Sequence, residues 1–531
     1  MSSMLRKASA AVLAAAVGFV AGAQGVATSP RFTAAEVQKS ANVSNPQTYR
    51  SGGFLRGERY DLRKATMMDL IRLAYGFESD AVVGGPEWLE FDRFDVAASA
   101  PASTSPQEIA SMLQALLVER FQLAFHKDVQ PMPVFALRAV NARKLKAADG
   151  SGNGECKYQE QPRDSPYTVY SCREVTMAGF AQQLHGMVGN SLADPVIDFT
   201  GLKGAWDFDL KWTSRSVLPP GVERTTAFSA LEQQLGLRLA AEKAPLPVIV
   251  IDHINETPSA LRSAVALPPR EVQFEVASVR ASGPEVHDGY SGGTPRGDFE
   301  ARGETMRNLF ATAWDIHWDH VDEMIAGAPE WMNTARFDVQ TRIPSATQGA
   351  PPAGSSFIDD DVRLMLRALL TERFKIRTHY EDRLVNAYTL VAARASSQKA
   401  GMKRADASNR ANCKESRRVE HDPRELNPRM SRLLACQNVT MAQFAEQLMA
   451  VSANDFAYRV VDETGIGGRW DFLLNYAPTG DRRNPEQPVE PNGALSIFQA
   501  IQKQLGLKLE LRKRREPVLV IDSIEPQPTD N

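Results

Sequence analysis

The chain has 531 residues, too many for one ordinary core, so two to four domains are expected. Apolar residues make up 43% and charged residues 24%, the balance of a folded globular protein. The net charge of −3 supplies no global field for nucleic acid or an anionic membrane, and neither partner is expected.

The N-terminus reads as a targeting segment. Arg6 and Lys7 form a positive start, Ala8 to Val20 is a short alanine-rich apolar run, and Ala21-Gly22-Ala23 fits a small-x-small cleavage pattern. Residues 1–23 are therefore expected to be a signal peptide removed before Gln24. The mature chain is expected in the periplasm or outside the cell. The apolar run is shorter than the roughly 20 residues a spanning helix needs.

Beyond the leader, Thr66 opens a helical pattern, and Ile109 to Phe121 forms a second. Phe121, Leu123 and Phe125 then alternate and Val134 to Leu137 returns as an apolar run, which reads as a two-strand hairpin. The same succession follows Thr176. A helix is followed by Val196-Ile-Asp198-Phe-Thr200-Gly201-Leu-Lys-Gly204-Ala-Trp206-Asp-Phe208, a second helix from Phe228 to Leu235, alternating Leu237 and Leu239, and Val248 to Ile251. After Pro258, Pro268 and Pro269 the whole series recurs. Gly85-Pro-Glu-Trp88 answers Ala328-Pro-Glu-Trp331. Arg93-Phe-Asp-Val96 answers Arg336-Phe-Asp-Val339. Leu116-Leu-Val-Glu-Arg-Phe121 answers Leu369-Leu-Thr-Glu-Arg-Phe374. Val175-Thr-Met177 answers Val439-Thr-Met441, Gln234-Leu-Gly-Leu237 answers Gln504-Leu-Gly-Leu507, and Val250-Ile-Asp252 answers Val520-Ile-Asp522. An order kept throughout is a tandem repeat.

The fold class expected is α+β, built of tandem duplicated small modules, each a helix–strand–helix–β-hairpin unit. Repeat 1 spans 24–256 with units near 32–145 and 170–256. A linker covers 257–272. Repeat 2 spans 273–531 with units near 274–395 and 434–526. Thr66, Thr176, Thr305 and Thr440 each stand where a threonine oxygen can cap the helix that follows.

These motifs together, from Phe274-Glu-Val-Ala-Ser-Val279 to the terminal Val-Ile-Asp, resemble an uncharacterised soil-associated bacterial protein family best represented in acidobacteria. Its members carry one copy of a domain of unknown function, and this chain resembles two. The resemblance implies no activity. Each half-repeat also resembles, more loosely, the short N-terminal domain of secretins and TonB-dependent receptors, which implies a small α+β module that binds protein partners.

Each motif with chemical potential has a plainer structural reading. Asp198 and Asp462 stand before Thr-Gly in two similar halves, as in a bilobal aspartic protease. One residue intervenes here, so Asp198 with Gly201 and Asp462 with Gly465 read instead as tight turns, with Gly204 and Gly468 completing the reversal. Gly289-Tyr-Ser291-Gly-Gly293 fits a nucleophile elbow, but a loop follows where a helix is required, and a flexible glycine loop is expected. Asp315-Ile-His317-Trp-Asp319-His320-Val-Asp322-Glu323 is the best metal candidate, through His317 and His320, yet the sister repeat has no histidine there. His126 and His379 match between repeats and read as strand positions. Leu511-Arg-Lys-Arg-Arg515 reads as a solvated turn in the last hairpin. Cys156 is expected to pair with Cys172, and Cys413 with Cys436, each bridge closing the junction between two units. No catalytic residue and no cofactor is expected. The leading reading is an exported, non-catalytic protein that binds an envelope protein or ligand. The alternatives are a hydrolase using Ser291 and a metal-binding protein using His317 and His320.

Overall fold

A computed structural model describes residues 30–40, 50–77, 81–141, 144–150, 154–162, 165–188, 195–213, 222–223, 225–260, 267–268, 270, 272–283, 285, 289–294, 298–317, 320–344, 360–393, 401–405, 410–416, 432–452, 455–477 and 495–529. The expected signal peptide, Trp318, Asp319, and half of the segment expected as a linker lie outside the described residues.

The chain is α+β, and one order of elements occurs four times. In the first unit it runs β1 Ala34–Lys39, β2 Ser51–Arg56, β3 Arg59–Thr66, α1 Met67–Tyr75, β4 Val82–Gly84, β5 Arg93–Ser99, α2 Pro106–Phe121 and β6 Ala124–Ala139. The second has β7 Lys146–Ala148, β8 Cys156–Tyr158, β9 Tyr167–Val175, α3 Met177–Val188, β10 Val196–Asp198, β11 Ala205–Thr213, α4 Ala227–Ala230 continued by a π turn Leu231–Leu235, and β12 Leu237–His253. The third has β13 Val276–Ala281, β14 Tyr290–Gly293, β15 Phe299–Thr305, α5 Met306–Ala313, an extra short helix α6 Val321–Met324, β16 Ile325–Ala326, β17 Arg336–Arg342, α7 Asp360–Arg373 and β18 Arg377–Ala392. The fourth has β19 Met402–Arg404, β20 Asn412–Ser416, β21 Arg432–Val439, α8 Met441–Val451, β22 Val460–Asp462, β23 Trp470–Tyr476, α9 Ile497–Leu505 and β24 Leu507–Ser523.

A shared local device starts the first helix of every unit. Two residues before the capping threonine, the backbone turns left-handed at Lys64, Glu174, Gly303 and Asn438, with φ of 54°, 52°, 58° and 51°. The strand ladder skips register there, which is a β-bulge. The freed N–H donates to the aspartate of the neighbouring Phe-Asp or Trp-Asp strand: Asp95 at 2.9 Å, Asp207 at 2.8 Å, Asp338 at 2.8 Å and Asp471 at 2.7 Å. Thr66, Thr176, Thr305 and Thr440 then accept the N–H three residues on, at 3.1, 3.0, 3.2 and 3.2 Å. The bulge aims the chain off the sheet and the threonine satisfies an orphan donor of the helix it enters. The second helix ends in each unit at a left-handed residue: Gln122, Gly236, Lys375 and Gly506.

The strands do not form one hairpin per unit. Leu123 to Leu137 is no hairpin, because β6 is one unbroken strand, and so is β12. The two pair antiparallel with each other over their whole length, from Ala139 with Leu237 to Ala124 with His253. Strand β18 pairs with β24 in the same way. The basic run Arg512–Arg515 therefore sits mid-strand and not in a turn. Equivalent residues of the two units face each other at the ribbon's middle: Pro131 with Pro245, and Leu384 with Arg515. Each repeat thus has an internal pseudo-two-fold axis.

The short strands complete the exchange. β4 of the first unit pairs parallel with β12 of the second, while β10 of the second pairs with β6 of the first. The central sheet is ordered β10-β6-β12-β4, flanked by β1-β5-β3-β2 and β7-β11-β9-β8; repeat 2 gives β16-β24-β18-β22 between β13-β17-β15-β14 and β19-β23-β21-β20. Hydrophobic packing follows the same pattern. The first unit's core is closed by Ile249 and Ile251 of β12, and the second unit's by Phe135 and Leu137 of β6. In repeat 2, Leu519 and Ile521 close the third core, and Tyr388 and Leu390 the fourth. The unit is a packing module, and each central ribbon closes both cores of its own repeat.

Cys156–Cys172 and Cys413–Cys436 are disulfides. Each joins directly paired neighbours, β8 to β9 and β20 to β21. They staple two strands within one flanking sheet and do not close the junction between units. The repeats also touch each other. Phe91 of repeat 1 is buried in the fourth unit's core. Arg410 pairs with Glu90 at 3.1 Å and donates to the Val82 carbonyl at 2.9 Å. Arg469 pairs with Glu87, Lys64 with Asp315 at 2.9 Å, and Arg56 with Asp361 at 3.6 Å.

Candidate functional site

The twin aspartates serve their own turns. Asp198 Oδ1 accepts from the Thr200 N–H at 2.8 Å and its hydroxyl at 2.7 Å, and Thr200 Oγ1 accepts from the Leu202 N–H at 3.1 Å. Asp462 Oδ1 accepts from the Thr464 N–H at 2.8 Å, and Thr464 Oγ1 from the Ile466 N–H at 3.1 Å. Gly201, Gly204, Gly465 and Gly468 all have positive φ and supply the left-handed steps. Asp198 ends β10 and Asp462 ends β22, which belong to different sheets.

Ser291 is not on a flexible loop. It lies on β14, an edge strand opposite Ala301 of β15, and Ser51 occupies the matching edge strand β2. The next described element after β14 is β15, so the strand–turn–helix that a nucleophile elbow requires is not formed. His126 and His379 do acquire partners. Each Nδ1 lies against the aspartate of the terminal Val-Ile-Asp, Asp252 at 2.8 Å and Asp522 at 2.9 Å, on the solvent side of the ribbon.

His317 and His320 stand with ring centres 5.6 Å apart. Among the described residues no group of three or more His, Cys, Asp or Glu is arranged to hold a metal ion. His320 instead turns toward the ribbon. The segment bends so that its N–H meets the His317 carbonyl at 2.8 Å, and α6 follows at once. There it lines a recess over the middle of the repeat 2 ribbon with Glu323, Met324, Val385, Asn386, Tyr458, Arg459 and Glu516. The recess encloses about 30 Å³, enough for one or two water-sized groups.

Three elements build this recess: α6 and the residue before it, the facing strands β18 and β24, and the segment leading into β22. Its polar atoms are organised. The imidazole donates to the Ala457 carbonyl, while buried Nε2 has no hydrogen-bond partner. Since Nε2 is the free atom, Nδ1 makes that bond, and the neutral ring presents Nε2 as an acceptor. Burial lowers the imidazole pKa and so favours this neutral form, opposed by the Ala457 bond. Glu323 accepts from Asn386 Nδ2 at 3.3 Å and from the Tyr458 hydroxyl. Burial raises its carboxyl above the ordinary value, offset in part by those two bonds. Glu516 and Arg459 form an ion pair at 2.8 Å, and Arg307 holds Asp322.

The first repeat is apolar at three of these positions. Pro133 and Asn386 both pair with a lysine of the last strand, Lys243 and Lys513. Pro195 and Arg459 each lend a carbonyl to the same strand position, Phe135 N at 2.9 Å and Tyr388 N at 2.8 Å. Counting back from the matched terminal aspartates, Leu246 stands where Glu516 does. Two prolines and a leucine have polar counterparts in repeat 2, and these converge with His320 and Glu323. Sequence reasoning named His320 but missed Asn386, Tyr458, Arg459 and Glu516. A residue-by-residue comparison of the repeats over 133, 195 and 246 carries that signal.

The basic run contributes little free charge on one face. Arg512 pairs with Glu463 and Glu510 at 2.8 Å, and Arg514 pairs with Glu463. Among the described residues no helix is long and apolar enough to cross a membrane.

No curated protein matches the chain, and no solved structure does. One family model matches, a protein of unknown function (DUF3738), over residues 68–254 and 307–524. Both matches begin inside the helix that follows the capping threonine and end just past the terminal Val-Ile-Asp, so each covers one repeat less its first three strands. The chain belongs to the DUF3738 family and carries that domain in two tandem copies.

Proposed function

We propose that the protein is an exported, non-catalytic binding protein of the cell envelope, with its ligand site in the recess of repeat 2. The observation that carries this reading is the divergence of the copies. Polar side chains converge on the ribbon axis in repeat 2, where repeat 1 has Pro133, Pro195 and Leu246. Duplicated scaffolds keep what folding needs in both copies, as with the bulge aspartates and capping threonines. Polar side chains at three positions that are apolar in the sister copy, in a partly buried place that costs free energy to fill with polar groups, answer to something other than folding. The recess lacks a nucleophile beside a base, which favours binding over catalysis. Export is supported by the N-terminal pattern and by two disulfides, which persist in oxidising compartments. The loose resemblance of each unit to periplasmic partner-binding domains agrees with this reading by analogy alone.

The test is a thermal-shift screen of the mature chain against small polar metabolites. Ligands that raise the melting temperature should lose their effect in Glu516→Leu, which restores the repeat 1 residue. Hits that shift that variant equally, or no hits, would remove the recess as the site.

A further inference from the structure

The recess has a definite chemical bias. Among the described residues Glu323 receives hydrogen bonds only from neutral donors, Asn386 and Tyr458, whereas its acidic neighbours Asp322 and Glu516 are held by Arg307 and Arg459. Lys513, across the ladder from Asn386, acts on Glu323 at longer range without a bond. His320 borders the same recess. A carboxylate with no cationic hydrogen-bond partner therefore lines a space of water size. The remaining walls include the flexible apolar chain of Met324 and the isopropyl group of Val385. A carboxylate in such a place is stabilised by a compact cation that can donate several hydrogen bonds, and an ammonium head has three donors and the size of a water molecule.

Resting on the binding reading above, we propose that the recess takes a primary alkylammonium group. The –NH₃⁺ donates to the Glu323 carboxylate, and its alkyl stem leaves past Met324 and Val385. The Arg459–Glu516 pair borders the site and leaves Glu323 as the carboxylate open to the ligand. A free amine and a lysine side chain on a partner protein share this chemistry. Repeat 1 has Pro133, Pro195 and Leu246 at three positions of the site, so one ammonium per chain is expected.

Isothermal titration of the mature full-length chain with n-butylammonium chloride, and separately with n-butanol, tests the proposal. One site per chain is expected for butylammonium, with butanol binding at least tenfold more weakly. Glu323→Gln keeps the shape and removes the charge. It is expected to weaken butylammonium at least tenfold while the unliganded melting temperature changes little. Ser291→Ala, on the edge strand β14 outside the recess, is expected to retain binding and serves as the folded control.

Affinity should rise with pH through the acid range, because burial raises the Glu323 pKa and the ligand needs the ionised form. The other titrating groups facing the recess are His320, Tyr458, Arg459, Glu516, Asp322 and Lys513. An acetylated Gly-Lys-Gly amide compared with putrescine identifies the source: tighter peptide binding indicates a protein lysine, tighter putrescine binding a free amine. Butanol equal to butylammonium, or no loss in Glu323→Gln, overturns the ammonium assignment. If butylammonium is silent while screen hits still depend on Glu516, the ammonium class is wrong and the binding site stands. If nothing binds, both readings fall.

Discussion

Asp95, Asp207, Asp338 and Asp471 each accept the N–H of a left-handed bulge residue, and a lost acceptor there strands a backbone donor. Replacing any one with alanine is expected to cost about 1–3 kcal/mol, with asparagine costing less because its oxygen still accepts. Urea unfolding of the four alanine variants checks this; losses within error at all four would mean the bulges hold without the bond. Asp338 adds a pH arm. Its pKa is depressed, first by the Gly303 N–H and then by the Ser282 hydroxyl. A carboxylate with a depressed folded pKa contributes stability above its unfolded pKa and loses it as pH falls through the folded value. The Asp338→Asn variant should therefore show a shallower fall in melting temperature below pH 4 or so, the ordinary carboxylate range. The turn aspartates Asp198 and Asp462 follow the same rule on a smaller scale, at roughly 1 kcal/mol for alanine. Their role was legible in sequence because the turn residues are contiguous. The bulge aspartates were printed four times in Phe-Asp and Trp-Asp motifs, yet their partners lie about 30 residues upstream, beyond any local pattern.

Strands β6 and β12 run unbroken where the local pattern predicts a hairpin. Pro131, Pro133, Pro245 and Pro247 interrupt apolar runs, and a proline between alternating segments reads as a turn. Proline is excluded from sheet interiors because it removes a ladder donor. At the ribbon's middle, however, β4 and β10 reach only the ends, so each long strand has an open side there. Prolines are tolerated where no third strand needs a donor. The consequence is that no unit closes its own core. A fragment of residues 24–145 lacks Ile249 and Ile251 and is expected to remain without a cooperative transition, whereas residues 24–260 should fold. Circular dichroism melts of the two fragments decide this. The disulfides act on a different element, the outer hairpin of each flanking sheet. With Cys156 and Cys172 sixteen positions apart, removing that bridge is expected to cost about 3 kcal/mol in the chain-entropy model. The cost should appear as earlier hydrogen exchange in β8 and β9, with the ribbon amides protected as before.

The two repeats build separate sheets but are not indifferent to each other. Phe91 crosses from one repeat into the other's core, and the cations and anions at the contact are placed in complementary order: Arg410 on Glu90, Arg469 on Glu87, Lys64 on Asp315, and Arg56 on Asp361. Arg56 and Arg410 are 6% and 10% exposed, so their pairs are shielded from solvent and sensitive to loss of one partner. Neither half contributes a strand to the other's sheets. Residues 24–256 and 273–531, made separately, are therefore each expected to unfold cooperatively, at a lower temperature than the intact chain because the contact face is then open to water. Mixed, they should associate, more weakly as salt is raised, since the partly exposed members of the contact are screened. Glu90→Gln removes the ion pair of Arg410 across the contact and should weaken the association at least tenfold, while the separate melting temperature of its own half stays unchanged. Analytical ultracentrifugation of the mixed halves measures this. Halves that fold but ignore each other at low salt would reduce the contact to a consequence of tethering, and the recess of repeat 2 would then work without its neighbour.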